Sequence, residues 1–161
     1  MSGKRMLVIG NVRSGKTQIL ERLYQDCLDR DIPCLLLCGR RSGVAPADLV
    51  AMLAARCAFD RIRIENAVII VDDLDAATDD RHDPASALYY ALLPVLECRA
   101  GEYGKGRDLV DLGAVTIVAT ATTGGQDGNR VTLPGIAADV FTDAPLEVDQ
   151  SRERNGHREL P

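Results

Sequence analysis

A chain of 161 residues, 46% of them apolar, with a net charge of −5 and a pI near 5.0, is long enough for one domain with a core of its own. The acidic balance excludes a general attraction to a nucleic-acid backbone, so any DNA contact has to come from a local basic patch. No apolar run approaches the roughly 20 residues that span a bilayer, and residues 6–9 are too short for a signal-peptide core, so a soluble, cytoplasmic protein without a membrane segment is expected.

Residues 5–10 form a short apolar run that ends in Gly10. Residues 17–30 carry Ile19, Leu20, Leu23, Tyr24, Cys27 and Leu28 at helical spacing. After Pro33, residues 34–38 (Cys-Leu-Leu-Leu-Cys) make a continuous apolar run of the kind a strand buried on both faces shows. Its two cysteines read as small core residues. The five cysteines, at 27, 34, 38, 57 and 98, include no Cys-x-x-Cys pair, which argues against a disulfide framework or a zinc site. Residues 39–43 are a loop carrying Arg40 and Arg41, and Pro46 suits the first turn of a helix reaching about Cys57.

Residues 67–71 are a second buried strand, ending at Asp72-Asp73. Pro84 opens a helix that extends to about Arg99, with a kink or break expected at Pro94. Residues 101–111 read as a glycine-rich, charged loop, residues 115–120 as a further buried strand, and residues 122–135, with four glycines, as a long polar loop. A fifth strand is expected to start at residues 139–141, with an extension at 146–148. Residues 150–161 have almost no apolar content and read as a mobile tail, so residues 1–149 are expected to form the domain. Strands alternating with helices imply an α/β fold with a mainly parallel sheet and helices on both faces.

Gly10-Asn11-Val12-Arg13-Ser14-Gly15-Lys16-Thr17 matches the phosphate-binding P-loop, between an apolar strand and a helix as that motif requires. Gly10 and Gly15 let the backbone bring N–H groups close to phosphate. The helix beginning near Lys16 points its positive end at the same oxygens. Lys16, expected at the surface, reaches the β- and γ-phosphates, and Thr17 offers a hydroxyl to magnesium. The nucleotide-binding set is therefore residues 10–17 with Gln18.

Four β-favouring apolar residues followed by acid, Val68-Ile69-Ile70-Val71-Asp72-Asp73, resemble a Walker B strand. Asp72 then holds magnesium through water, and Asp73 orients or deprotonates the attacking water. The strand at 115–120 fits the additional strand that some P-loop ATPases place between the P-loop and Walker B strands. Thr120 and Thr122 are the candidates for the polar sensor at its tip. The chain has no Asn-Lys-x-Asp guanine reader, and its lysines are Lys4, Lys16 and Lys105, so ATP with Mg2+ is expected.

The order of these parts resembles the FtsK/HerA group of RecA-like ATPases, motors that pump or move DNA. The sensor strand at 114–120 and the segment Leu133-Pro134-Gly135-Ile136-Ala137-Ala138-Asp139-Val140-Phe141-Thr142 carry the likeness, which extends over residues 5–148. Two positions depart from the group: Asp73 stands where glutamate is usual, and Ala121 where the sensor strand often ends in glutamine. The resemblance implies an ATPase working as a homo-oligomer on double-stranded DNA, through loops 76–83 and 122–135. Arg81, Arg130, Lys105 and Arg107 supply basic groups, and Arg99, Arg107 and Arg130 are candidates for an arginine finger acting between subunits. The Asp72-Asp73-Leu74 ending also looks like helicase-loader ATPases, but no helical lid fits after residue 148. Two other readings are a nucleotide-gated interaction module that hydrolyses slowly, and a small-molecule kinase with Arg40 and Arg41 on an acceptor phosphate.

Overall fold

The structure, a computed structural model, describes residues 3–40, 49, 52–53, 66–103, 108–124, 131–141 and 146–147. Cys57, Arg41, Lys105, Arg107, Arg130 and the tail expected at 150–161 lie outside these residues.

Five parallel strands form the main sheet. They are β1 (Arg5–Gly10), β2 (Cys34–Cys38), β3 (Val68–Asp72), β6 (Thr116–Thr122) and β7 (Leu146–Glu147), in the order β2-β3-β6-β1-β7. The strand expected between the P-loop strand and the acidic strand is β6, which pairs with β1 on one side and with β3 on the other.

The apolar runs supply both faces of this sheet because side chains alternate along a strand. Ile69 and Val71 of β3, Ile117, Ala119 and Ala121 of β6, and Leu7 and Ile9 of β1 belong to the larger core cluster. They share it with Leu88, Tyr89, Leu92, Val95 and Leu96 of α2 (Ser86–Leu96) and with Leu49 and Leu53. The intervening Ile70 and Val118 join Leu20 of α1 (Lys16–Asp29), with Leu23 and Tyr24 packed alongside. Helices therefore lie over both faces, α2 on one and α1 on the other, as the alternation of strands and helices implies. Cys34 is buried and Cys38 half-buried, and Leu49, Met52 and Leu53 are helical as expected.

Both long helices end in the same way without glycine. Asp31 has φ 54° after α1, with Ile32 N–H donating to Cys27 O (2.8 Å) and Asp31 N–H to Leu28 O (3.1 Å). Cys98 has φ 52° after α2, with Arg99 N–H donating to Pro94 O (3.0 Å) and Cys98 N–H to Val95 O (3.2 Å). These paired bonds are the Schellman arrangement, which satisfies carbonyls that a helix end leaves open. Pro94 sits inside the last turn of α2, and the helix runs through it to Leu96. A proline so close to the end removes a single ladder donor just where the helix is about to stop.

Two expectations need correction. Residues 101–111 are not a plain loop: β4 (Ala100–Tyr103) and β5 (Asp108–Asp111) form an antiparallel pair, with Ala100 opposite Asp111. Residues 139–141 do not begin a strand, because α3 (Ala137–Val140) is a helical turn with Phe141 at its C-terminus. Strand β7 is confined to Leu146–Glu147, paired with Val8 and Ile9 of β1. Ala137 and Phe141 are buried in the larger core, on one face of a turn closed by the Phe141 N–H donating to Ala137 O at 3.1 Å.

Candidate functional site

The loop after β1 turns sharply enough to need left-handed backbone at Arg13 (φ 64°) and Gly15 (φ 87°). Gly15 is the N-cap of α1, and no side chain caps that helix. The N-terminal N–H groups of α1 and its positive end are thus left for an anion. Asn11, Val12, Arg13 and Gln18 are exposed, whereas Ser14 and Lys16 are buried.

Lys16 is not the surface residue expected from the sequence: it is 6% exposed. Its ammonium donates to Gly10 O (2.9 Å), Asn11 O (2.8 Å) and Ser14 Oγ (3.4 Å). The charge is therefore met by carbonyl dipoles of its own loop, which satisfies an otherwise costly buried cation. Asn11 is held in turn from the neighbouring strand end, where Thr123 Oγ1 lies 2.6 Å from Asn11 Oδ1 and Thr123 N–H donates to Gly10 O at 3.1 Å.

The sheet order brings three side chains together beside this loop. Val71 is opposite Ala119, so Thr120 follows beside Asp72. Thr120 is fully buried; its hydroxyl donates to Asp72 Oδ1 (2.6 Å) and accepts the N–H of Asp73 (2.9 Å). The other carboxylate oxygen, Asp72 Oδ2, accepts from Thr17 Oγ1 at 2.8 Å. A hydroxyl and a carboxylate in contact are the donors that could hold magnesium, an ion that keeps several waters and needs few protein ligands. Among the described residues, no group of three or more His, Cys, Asp or Glu is arranged to hold a metal.

Asp73 has a different environment. Its backbone is left-handed (φ 52°), capping the 3-10 turn Leu74–Ala76. Its carboxylate pairs with Arg40, Nε to Oδ2 at 2.7 Å. That hydrogen bond, and the charge behind it, raise the Arg40 pKa above its ordinary value. Arg40, read at most as a binder of an acceptor phosphate, thus stands in this chain's own site. The sequence held one signal for it: Cys34–Cys38 and Val68–Asp72 are runs of equal length, and in register they put Cys38 opposite Asp72. Close by, Asp75 is half-buried and its Oδ1 has no hydrogen-bond partner. Burial raises its pKa, against a hydrogen bond from the Thr122 backbone that lowers it.

Arg81 and Arg99 are engaged locally. Arg81 lies over the Tyr90 ring, 5.1 Å from its centroid, with Nε 3.3 Å from the Tyr90 hydroxyl. Arg99 pairs with Glu97. Thr122, the second sensor candidate, ends β6 half-buried, opposite Gly10. No helix among the described residues is long and apolar enough to cross a membrane.

No protein-family model matches the chain, and no curated protein matches it significantly. The architecture itself carries the assignment. A parallel sheet flanked by helices, with a lysine-bearing loop after β1 and an acid-tipped strand beside it, is compatible with a nucleotide-binding, P-loop-like fold.

Proposed function

We propose that this chain binds ATP and magnesium and hydrolyses ATP as a minimal motor domain resembling the FtsK/HerA DNA translocases, acting as an oligomer. The observation that carries the reading is the contact chain Thr17–Asp72–Thr120 beside the Lys16 loop. The β6 position between β1 and β3 supports the same class.

On binding, the Lys16 ammonium would exchange the neutral Gly10 and Asn11 carbonyls for anionic β- and γ-phosphate oxygens, a gain in charged hydrogen bonding. Thr17 and Asp72 would hold magnesium, Asp72 through water, and the ion would supply positive charge against the nucleotide's phosphates. Thr120 fixes the orientation of Asp72 and the backbone of Asp73. Asp73 orients the attacking water. A finger for the transition state would come from a neighbouring subunit, with Arg99, Arg107 and Arg130 as candidates. The Arg40–Asp73 pair favours a second reading, a slow ATPase that gates a partner, because it occupies the acid that would orient water.

The test is the specific ATPase rate against protein concentration, with and without double-stranded DNA. The motor reading expects a rate per chain that climbs with concentration and rises on DNA. Mixing Lys16→Ala chains with a finger mutant then restores part of the activity. A rate per chain that is flat with concentration and indifferent to DNA leaves the slow, partner-gating ATPase.

A further inference from the structure

Arg40 reaches Asp73 from the side of β3 that faces away from the P-loop. The P-loop follows β1, two strand positions from β3, whereas Arg40 follows β2, one position away in the opposite direction. Strands lie about 4.8 Å apart, so a carboxylate drawn toward β2 is displaced from the end of the sheet where Lys16, Thr17 and Asp72 converge. The displacement is built into the backbone. Gly39 N–H donates to Asp72 O at 2.8 Å, and a Cβ on Gly39 would lie 2.1 Å from Asp73 O, so only glycine lets the two strand ends approach this closely. The residue after it is thereby delivered to Asp73, whose left-handed backbone is pinned by Thr120.

We propose that Arg40 is a positioning residue that holds the Asp73 carboxylate away from the nucleotide, so that hydrolysis waits on the opening of this ion pair. The proposal rests on Asp73 being the water-orienting acid. The latch is weak by construction. The Arg40 side chain is 61% exposed and that of Asp73 17%, and exposed ion pairs shift an equilibrium by about fivefold at most and are screened by salt. It slows turnover without blocking it.

The experiment measures turnover at saturating Mg-ATP in the full chain, at about 50 mM and about 500 mM salt, a range over which the screening length shrinks severalfold. Arg40→Ala is expected to turn over about two- to fivefold faster than wild type at low salt, with unchanged ATP affinity by calorimetry. Arg40→Lys, which keeps the charge, stays near wild type. The wild-type rate climbs as salt rises, a readout that needs no variant to fold, and approaches that of Arg40→Ala. An Arg40→Ala rate equal to or below wild type at low salt, or a salt response the same in both, overturns the latch. Asp73→Asn separates the two claims. If it turns over like wild type, the reading of Asp73 as the water-orienting acid fails. If it is inactive and Arg40→Ala is no faster than wild type, that reading stands and the latch alone fails.

Discussion

Asp72 and Asp73 are adjacent in sequence and sit in two differently built halves of the site. Asp72 faces β6 and α1, where both its oxygens accept hydroxyl hydrogens and Thr120 is fully buried. Asp73 faces β2, where its carboxylate meets a mostly exposed guanidinium. The difference follows from the backbone and the sheet order: Asp72 ends β3, Asp73 lies past that end in a left-handed conformation, and β3 has β6 on one flank and β2 on the other. Hydrogen bonds on the fully buried Thr120 hydroxyl are costly to leave unmade; an exposed ion pair is cheap to open. The half that would grip phosphate and metal is therefore fixed by packing, and the half that would direct water is adjustable.

The sharpest way to break this comparison is Lys16→Ala. If the loop half is the gripping half, ATP affinity falls by at least about 100-fold, the scale of losing charged hydrogen bonds to two phosphate groups. Thermal stability changes little, because Gly10 O keeps the Thr123 N–H and Asn11 is exposed, so its carbonyl can turn to water. Calorimetry with Mg-ATP checks the first expectation and a melting curve the second; affinity within a few-fold of wild type ends the phosphate assignment.

A smaller effect is expected from Thr120→Val, which keeps the shape and removes the hydroxyl. The Asp73 N–H loses its acceptor and Asp72 Oδ1 its donor, at a fully buried position. A destabilisation of about 1–3 kcal/mol follows from stranding buried polar groups, along with slower hydrolysis, and Thr120→Ser recovers most of both. Denaturant unfolding measures the first and steady-state turnover the second. A variant as stable as wild type means that the Asp72 half is no more firmly held than the Asp73 half.

The firmly held half was also the legible one. Strands buried on both faces must be apolar throughout, so β3 and β6 stand out as runs; β2, expected to be buried on both faces, is the sheet's edge strand and leaves Leu36 exposed. The glycines and lysine of the loop are dictated by backbone geometry and phosphate charge. What escaped the sequence depends on partners distant in the chain. Arg40 meets Asp73 across 33 positions through a register that no single run specifies. The β4–β5 pair is hidden by glycine and charge in residues 101–111, since a two-stranded pair outside the main sheet needs no apolar face of its own. The ends of α1 and α2 at Asp31 and Cys98 lack the glycine that signals a left-handed cap, and Lys16 is buried only because its own loop closes over it.

The smallest expected effect lies at the edge of the adjustable half, at Asp75. Its Oδ1 has no partner and burial raises its pKa, with the Thr122 backbone bond opposing. A carboxyl with a raised folded-state pKa binds its proton more tightly in the folded chain than in the unfolded one. It carries no penalty below the unfolded value, about 3.9; stability is then lost as pH rises from there to the folded value, and the loss is complete above it. Asp75→Asn removes the charge and keeps an oxygen for Thr122. At pH 7 the variant should melt higher than wild type, by no more than about 3 °C, the scale of a change under 1 kcal/mol in a chain of this length. The two melting temperatures should converge toward pH 4. Melting curves of both proteins between about pH 4 and pH 8 check the sign. An Asp75→Asn protein that melts lower than wild type at pH 7, with a gap that widens as pH rises, means that the ionised carboxylate stabilises the fold. Asp75 would then belong with Asp72 among the acids held firmly by partners, and the boundary between the two halves would fall at Asp73 alone.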